Sequence, residues 1–219
     1  MLATFKENLN DIENKVIEIG NGLLKSNELL LNALGNCDSD KFNEARSYIK
    51  NISAKTDAID NAIIKVLALY TPEARDLREV VAYLKITNEL SRACSSTRSF
   101  IRGFTDVCQD VDVKTINEYT VPMQTSTLKA IKLTISMIKC EDADEIQELY
   151  NDVLIEENKT DDLYEMVERN LSIQADGSNT FEKFHKMLRA LRKSGKVANR
   201  AISIANLLVY AKIGGSIRS

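Results

Sequence analysis

Residues 71–92 read TPEARDLREVVAYLKITNELSR. The stretch has the chemistry of a helix start. Thr71 suits the N-cap, Pro72 suits the first helical position, where a missing N–H costs nothing, and Glu73 and Asp76 suit the positive end of the helix. From there, side chains that can be buried return at every third or fourth position: Val80, Leu84, Thr87, Leu90, Cys94, Thr97, Ile101 and Phe104. That period marks one face of a long helix, and a long helix with one apolar face needs other helices to cover it.

The same pattern extends in both directions. Helix breaks fall at GNCDSD (35–40), where Asp38 to Asp40 offer caps, and at CQDVDVKT (108–115). They fall again at CEDADE (140–145), where Asp142 and Glu145 have capping-box spacing, and at ADGSNTFE (175–182), where Asn179 and Glu182 repeat it. Between the breaks lie six expected helices, each roughly 45 Å long at 1.5 Å per residue. The fifth carries Ile146, Tyr150, Val153, Tyr164, Val167 and Leu171. The sixth carries Phe181, Phe184, Leu188, Leu191, Gly195, Ala198, Ile202, Ala205 and Val209. Short connections make successive helices antiparallel neighbours. Asp60 matches Asp162 at an offset of 102 and Leu90 matches Leu191 at 101, so the chain reads as a repeat of two three-helix units, 1–109 and 110–219. The expected fold is all-α, two tandem antiparallel three-helix bundles packed side by side.

Composition narrows the class. A chain of 219 residues with two Pro, no Trp, 44% apolar residues and a formal charge of −3 suits a helical globular protein. The first residues turn polar from position 6 and do not read as a signal peptide. No apolar run approaches the roughly 18 residues of a membrane span. Cys37, Cys94, Cys108 and Cys140 form no CxxC pair, and reduced, partly buried thiols are the expectation.

Pro72, Asp76-Leu77-Arg78, Lys85 and Leu90-Ser91-Arg92 together resemble the PhoU family, and the six-helix, two-unit layout extends the resemblance to the whole chain. The resemblance implies a cytoplasmic, non-enzymatic regulator of phosphate uptake. Its partners would be a phosphate ABC transporter and a phosphate-responsive sensor kinase, or alternatively a low-affinity phosphate permease. It implies contact with the membrane that is peripheral at most, and it leaves a homodimer open. Asp76, Arg78 and Lys85 are the candidate partner contacts on the third helix.

Many members of that family carry acidic E/D-x-x-x-D pairs that hold iron or zinc, because carboxylates four apart share a helix face. Here the positions that the resemblance matches to those pairs read Thr56 and Asp60, Asn158 and Asp162, Ser91-Arg92-Ala93-Cys94-Ser95, and Arg192-Lys193-Ser194-Gly195-Lys196. Asp60 and Asp162 remain, with Glu89 one turn from Arg92. A metal-binding bundle on these residues is the alternative reading; the missing ligands argue against it, and no metal or cofactor is expected.

Residues 186–200, KMLRALRKSGKVANR, hold six basic side chains and no acidic one, whereas residues 141–168 hold twelve acidic and one basic. The expectation is that Arg192 and Lys196 face the acidic helix, with Asp162 as a partner. Salt bridges would cross a solvated groove, and Arg192 and Lys196 would be further candidate contacts for an anionic partner surface.

Other chemistry finds no support. Glu182 and His185 have the i, i+3 spacing of a di-iron helix, but His185 is the one histidine of the chain and such a site needs two. The same shortage removes a histidine base for a Ser or Cys nucleophile. KIGGSIRS (212–219) reads as a flexible tail, not as a phosphate loop. The basic run has no interleaved aromatic, so nucleic acid is not an expected partner.

Overall fold

A computed structural model of the chain describes residues 2–72, 74–174 and 178–215. Among these the chain forms seven helices and no strand: α1 (Leu2–Leu34), α2 (Ser39–Tyr48), α3 (Ile52–Tyr70), α4 (Ala74–Asp110), α5 (Val113–Ile138), α6 (Ala143–Gln174) and α7 (Ser178–Lys212). The fold is an all-α helical bundle.

The expected second helix is two helices. The chain breaks at residues 49–51, where Asn51 takes the left-handed conformation (φ 55°). Asparagine tolerates that region better than most residues. Arg98 on α4 donates to the freed Ile49 carbonyl at 3.0 Å, and the end of α2 lies so close to α1 that a Cβ on Gly22 would sit 2.8 Å from the Tyr48 carbonyl oxygen. Neither Gly nor Pro marks this break, which is why the sequence conceals it.

The helix starts are mostly as the sequence implies. Asp38 accepts the N–H groups of Asp40 and Lys41 at 3.1 Å each, and Asp142 accepts those of Asp144 and Glu145 at 3.0 and 2.9 Å. Asp112 caps α5 by accepting from the Thr115 N–H at 3.0 Å and its hydroxyl at 2.7 Å. The start of α4 differs. Thr71 is left-handed (φ 40°) and closes α3, and α4 begins at Ala74, so Thr71 and Pro72 link two helices where a cap and a first turn were expected. Glu73 and the expected tail beyond Gly215 lie outside the described residues. So does the side chain of Asn179, the expected cap of the last helix, which begins one residue earlier at Ser178.

Cross-helix bonds fix the topology. α1 and α4 run parallel: Tyr83 donates to Glu13 at 2.8 Å and Asn27 to Thr97 at 3.4 Å, both pairs 70 residues apart. α5 and α7 do the same at a separation of 67: Thr127 bonds Ser194 at 2.9 Å and Thr134 donates to the Ala201 carbonyl at 3.2 Å. α4 lies antiparallel to α7, pinned by Glu79–Lys212 (3.5 Å), Glu89–Arg200 (2.9 Å) and Asp110–Lys186 (3.2 Å). α1 lies antiparallel to α5, with Asn27 opposite Gln124. α3 covers α1 and α4, and α6 covers α5 and α7; the α4–α7 seam is the most extensive helix contact among the described residues.

The apolar stripe of α4 is buried nearly as read: Val80, Thr87, Leu90, Cys94, Thr97, Ile101 and Phe104 are almost inaccessible, and Leu84 is partly buried against the core. The cores, however, are stacked along the bundle, not assigned one to each unit. One gathers residues such as Ile12, Ile59, Ile86, Ile131, Ile146 and Leu208, and the other Leu34, Phe42, Phe104, Ile116, Val167 and Leu191. Each buried Leu, Ile or Phe contributes about 1.5–3 kcal/mol relative to exposure. Between the cores lies a layer of buried polar side chains. Gln124 on α5 donates to Asn27 on α1 at 2.9 Å and accepts from Ser194 on α7 at 2.8 Å, and Asn27 reaches Thr97 on α4. Four helices from both halves of the chain thus share one network. Buried polar groups need such partners, and the layer sets the register in which the helices slide together.

The expectation of reduced thiols is corrected for two of the four cysteines. Cys37, in the turn after α1, is bonded to Cys108 near the end of α4, with Cα atoms 5.7 Å apart. The bundle brings these ends together although 71 residues separate them, a proximity that spacing alone does not reveal. Cys94 and Cys140 are free; Cys94 is buried, and burial pushes its thiol up to about 12, making it inert.

Candidate functional site

The basic stretch of α7 occupies one side of the helix. Lys186, Arg189, Lys193, Lys196 and Arg200 recur at steps of three or four, and Arg192 flanks them. Small residues on the inner side let α7 sit close to its neighbours: a Cβ on Gly195 would lie 3.3 Å from the Met123 methyl of α5. Between α6 and α7 this leaves an open cleft of about 400 Å³ lined by Asp161, Tyr164, Arg192, Lys196 and Asn199, with Met123 at its floor.

Arg192 and Lys196 are exposed and face the acidic helix, as the charge pattern suggests, but their partners differ. The Arg192 guanidinium lies over the Tyr164 ring, 5.6 Å from its centre. Asp161, not Asp162, shares the cleft; Asp162 is exposed and belongs to no ion pair among the described residues. No described salt bridge joins α6 to α7. The helix-to-helix ion pairs of α7 go to α4, through Lys186, Arg200 and Lys212, where the two helices share their more extensive contact. Tyr164, read from the sequence as part of the apolar stripe, packs against the core but is only partly buried, and its ring also faces the cleft under Arg192.

The other candidates are scattered. Asp76 and Lys85 are exposed along α4. Arg78 is half-buried at the end of the bundle, its guanidinium beside Gly214 and its Nε enclosed without a hydrogen-bond partner. Close by, Lys212 has 3% side-chain exposure and bridges Glu79 at 3.5 Å and Glu141 at 2.6 Å, which ties the end of α7 to the start of α4. Burial raises the Glu79 carboxyl above its ordinary value, against the opposing pull of Lys212. Glu89 is engaged by Arg200 at 2.9 Å and Arg92 at 3.7 Å.

The residual acidic positions do not make a metal centre. Asp60 is half-buried with one oxygen enclosed and unbonded, and burial, with Asp57 nearby, raises its carboxyl. Thr56, where a second carboxylate would stand, donates its hydroxyl to the Ser53 carbonyl at 2.9 Å. Among the described residues no three His, Cys, Asp or Glu side chains converge on a common point. In the α6–α7 cleft, Arg192 and Lys196 put fixed positive charge where a cation would need ligands. The residues present do not fit an iron or zinc cluster.

No described constellation suits covalent or acid–base catalysis. His185 is exposed and stacks on Phe181 with ring centres 6.0 Å apart, and Glu182 pairs with Lys186 at 3.4 Å. No described helix is long and apolar enough to cross a membrane.

Comparison with known proteins agrees over the full length. Residues 16–100 match the PhoU domain. The chain is 25% identical to the phosphate-specific transport system accessory protein PhoU of Escherichia coli (strain K12), over 98% of this chain and 87% of that protein. It is 23% identical to the PhoU homolog of Pseudomonas aeruginosa, over 98% and 87%. Its fold matches the crystal structure of PhoU from Pseudomonas aeruginosa with a TM-score of 0.84 at 21% identity, covering 96% of this chain and all of that one. It also matches the phosphate transport system regulatory protein PhoU from Streptococcus pneumoniae with a TM-score of 0.78 at 16% identity, covering 98% and 99%. Residues 16–100 thus match the PhoU domain, and over nearly its whole length the chain is similar to phosphate-specific transport accessory proteins PhoU and shares the fold of their solved structures.

Proposed function

We propose that the chain is a non-enzymatic, cytoplasmic regulator of phosphate uptake and phosphate-responsive signalling. It acts by protein–protein contact with a phosphate transporter, a sensor kinase, or both. The observation that carries this reading is the full-length likeness to accessory proteins of phosphate-specific transport. Two features of the molecule support it. Most of the apolar stripes are consumed by the stacked cores, and the face of α7 beside the α6–α7 cleft is charged, with exposed Arg192 and Lys196. Contact through them depends on charge complementarity, which governs association rate more than lifetime.

Arg192 and Lys196, beside the α6–α7 cleft, are the contacts we assign first, with Asp76 and Lys85 on α4 as a second face. Arg78, being half-buried, positions the end of the bundle. The halves 1–109 and 110–219 are proposed as the two units of the regulator, coupled through the polar layer.

The test is affinity capture from the native host grown with high and with low phosphate. Recovery of a phosphate transporter component or a sensor kinase is expected. Arg192→Glu with Lys196→Glu should slow capture, and raised salt should mimic it. Recovery of neither class in either condition, with unchanged phosphate uptake in a deletion strain, would overturn the assignment.

A further inference from the structure

The α4–α7 seam holds a second charged feature, separate from the α6–α7 cleft. Where the two helices cross, Gly103 faces Ala190: a Cβ on Gly103 would lie 3.6 Å from the Ala190 methyl. Small residues at the crossing let the backbones approach and bring the longer side chains on either flank into one groove. That groove has a volume of about 380 Å³ and is lined by Arg102 and Asp106 from α4 and by Lys186, Arg189 and Lys193 from α7.

The ion pairs of the seam stand at its ends. Asp110 holds Lys186 at 3.2 Å at one end, and Glu89 holds Arg200 at 2.9 Å at the other. In the middle, Arg102, Arg189 and Lys193 belong to no described ion pair. Three cations therefore stand around one carboxylate, Asp106, in a chain whose overall charge is negative. Like charges gathered in one groove repel each other, and an anion between them relieves that cost.

We propose that this groove is a binding site for a linear oligophosphate, either inorganic or the triphosphate tail of a nucleotide. The reasons lie in the shape and in the donors. Two guanidiniums offer forked N–H pairs that match oxyanions with several oxygens. The cations of α7 extend from Lys186 to Lys193, roughly 10 Å of helix, which is longer than one tetrahedral oxyanion. The groove is lined mainly by charged side chains and lacks the apolar face on which a partner helix would dock. It also lacks an aromatic side chain on which the bases of a nucleic acid would stack. This site is independent of the assignment to phosphate transport, because it is tested on the isolated chain without any partner.

The experiment is isothermal titration calorimetry of the full chain with sodium tripolyphosphate, ATP without magnesium, and orthophosphate, at physiological ionic strength. Saturable one-site binding of tripolyphosphate is expected, at least about tenfold tighter than orthophosphate, a difference of about 1.4 kcal/mol. The variant Arg102→Gln/Arg189→Gln/Lys193→Gln should lose about tenfold or more. A control with the same loss of charge elsewhere, Lys65→Gln/Lys114→Gln/Lys132→Gln, should stay within about twofold. If the triple variant melts early, Arg189→Gln alone, at an exposed position, replaces it. ATP binding as tightly as tripolyphosphate identifies the triphosphate tail as sufficient, and much weaker ATP binding identifies the inorganic anion; either outcome supports the site. No saturable binding, equal binding of orthophosphate, or equal losses in the groove and control variants would overturn it.

Discussion

Gln124 donates its amide to the side-chain oxygen of Asn27 at 2.9 Å, across the midplane of the bundle and 97 residues away along the chain. Both side chains are almost fully buried. Replacing Gln124 by Leu strands the Asn27 oxygen, and an orphaned buried acceptor costs about 1–3 kcal/mol. Urea denaturation should report a loss in that range. A loss below about 0.5 kcal/mol would show that the layer is not a closed network.

The Cys37–Cys108 bond closes a long loop, and loop closure of that length restricts the unfolded chain by about 4 kcal/mol in the entropy account. Cys37→Ser with Cys108→Ser should lower the thermal midpoint, and a reducing agent should lower the wild type to the same value. A reductant that leaves the wild-type midpoint unchanged would show that the two thiols are not joined in solution.

Arg192 and Tyr164 should be energetically coupled, whereas Arg192 and Asp162 should not. A guanidinium over an exposed ring contributes about 0.5–1 kcal/mol. A double-mutant cycle of Arg192→Ala and Tyr164→Leu should return a coupling of that order. The cycle of Arg192→Ala and Asp162→Ala should be additive within about 0.3–0.5 kcal/mol. The reverse result would place the guanidinium on the carboxylate.

Asp112 links stability to pH. The Thr115 hydroxyl and N–H hold its carboxyl below the ordinary value of 3.8. A group depressed in the fold contributes stability that is present above its unfolded value and is lost as pH falls through its folded value. Asp112→Ala should therefore cost about 1 kcal/mol at neutral pH, as N-cap losses do. The gap between wild type and variant should close only below 3.8. A gap that closes already near pH 6 would assign the effect to another group.

How much of this was legible in the sequence depends on distance along the chain. The α4 stripe from Val80 to Phe104 and the caps at Asp38 and Asp142 were readable because the chemistry lies within one or two turns. The last helix was read in part: Leu191, Ala198 and Ala205 are buried, but Phe181 is 61% exposed. Its buried face is also wider than one stripe, since α7 packs on α4, α5 and α6. The break at Asn51 was hidden because it rests on an arginine donated from α4. The basic residues of α7 were visible as a run, but their ion partners were not. Sequence proximity pointed to α6, and the partners lie on α4, which is brought beside α7 only by tertiary packing.

The pairing of α1 with α5 and of α4 with α7 has a consequence for synthesis. Each stacked core takes side chains from both ends of the chain. At about 5–20 residues per second, the second half follows the first out of the ribosome only after roughly 5–20 s. During that interval Asn27 and Thr97 have no Gln124 or Ser194 to meet, and the faces of α1 and α4 that they occupy lie open to water. The buried layer that joins the two halves can therefore close only once the second half has left the ribosome, so the last step of assembly follows translation.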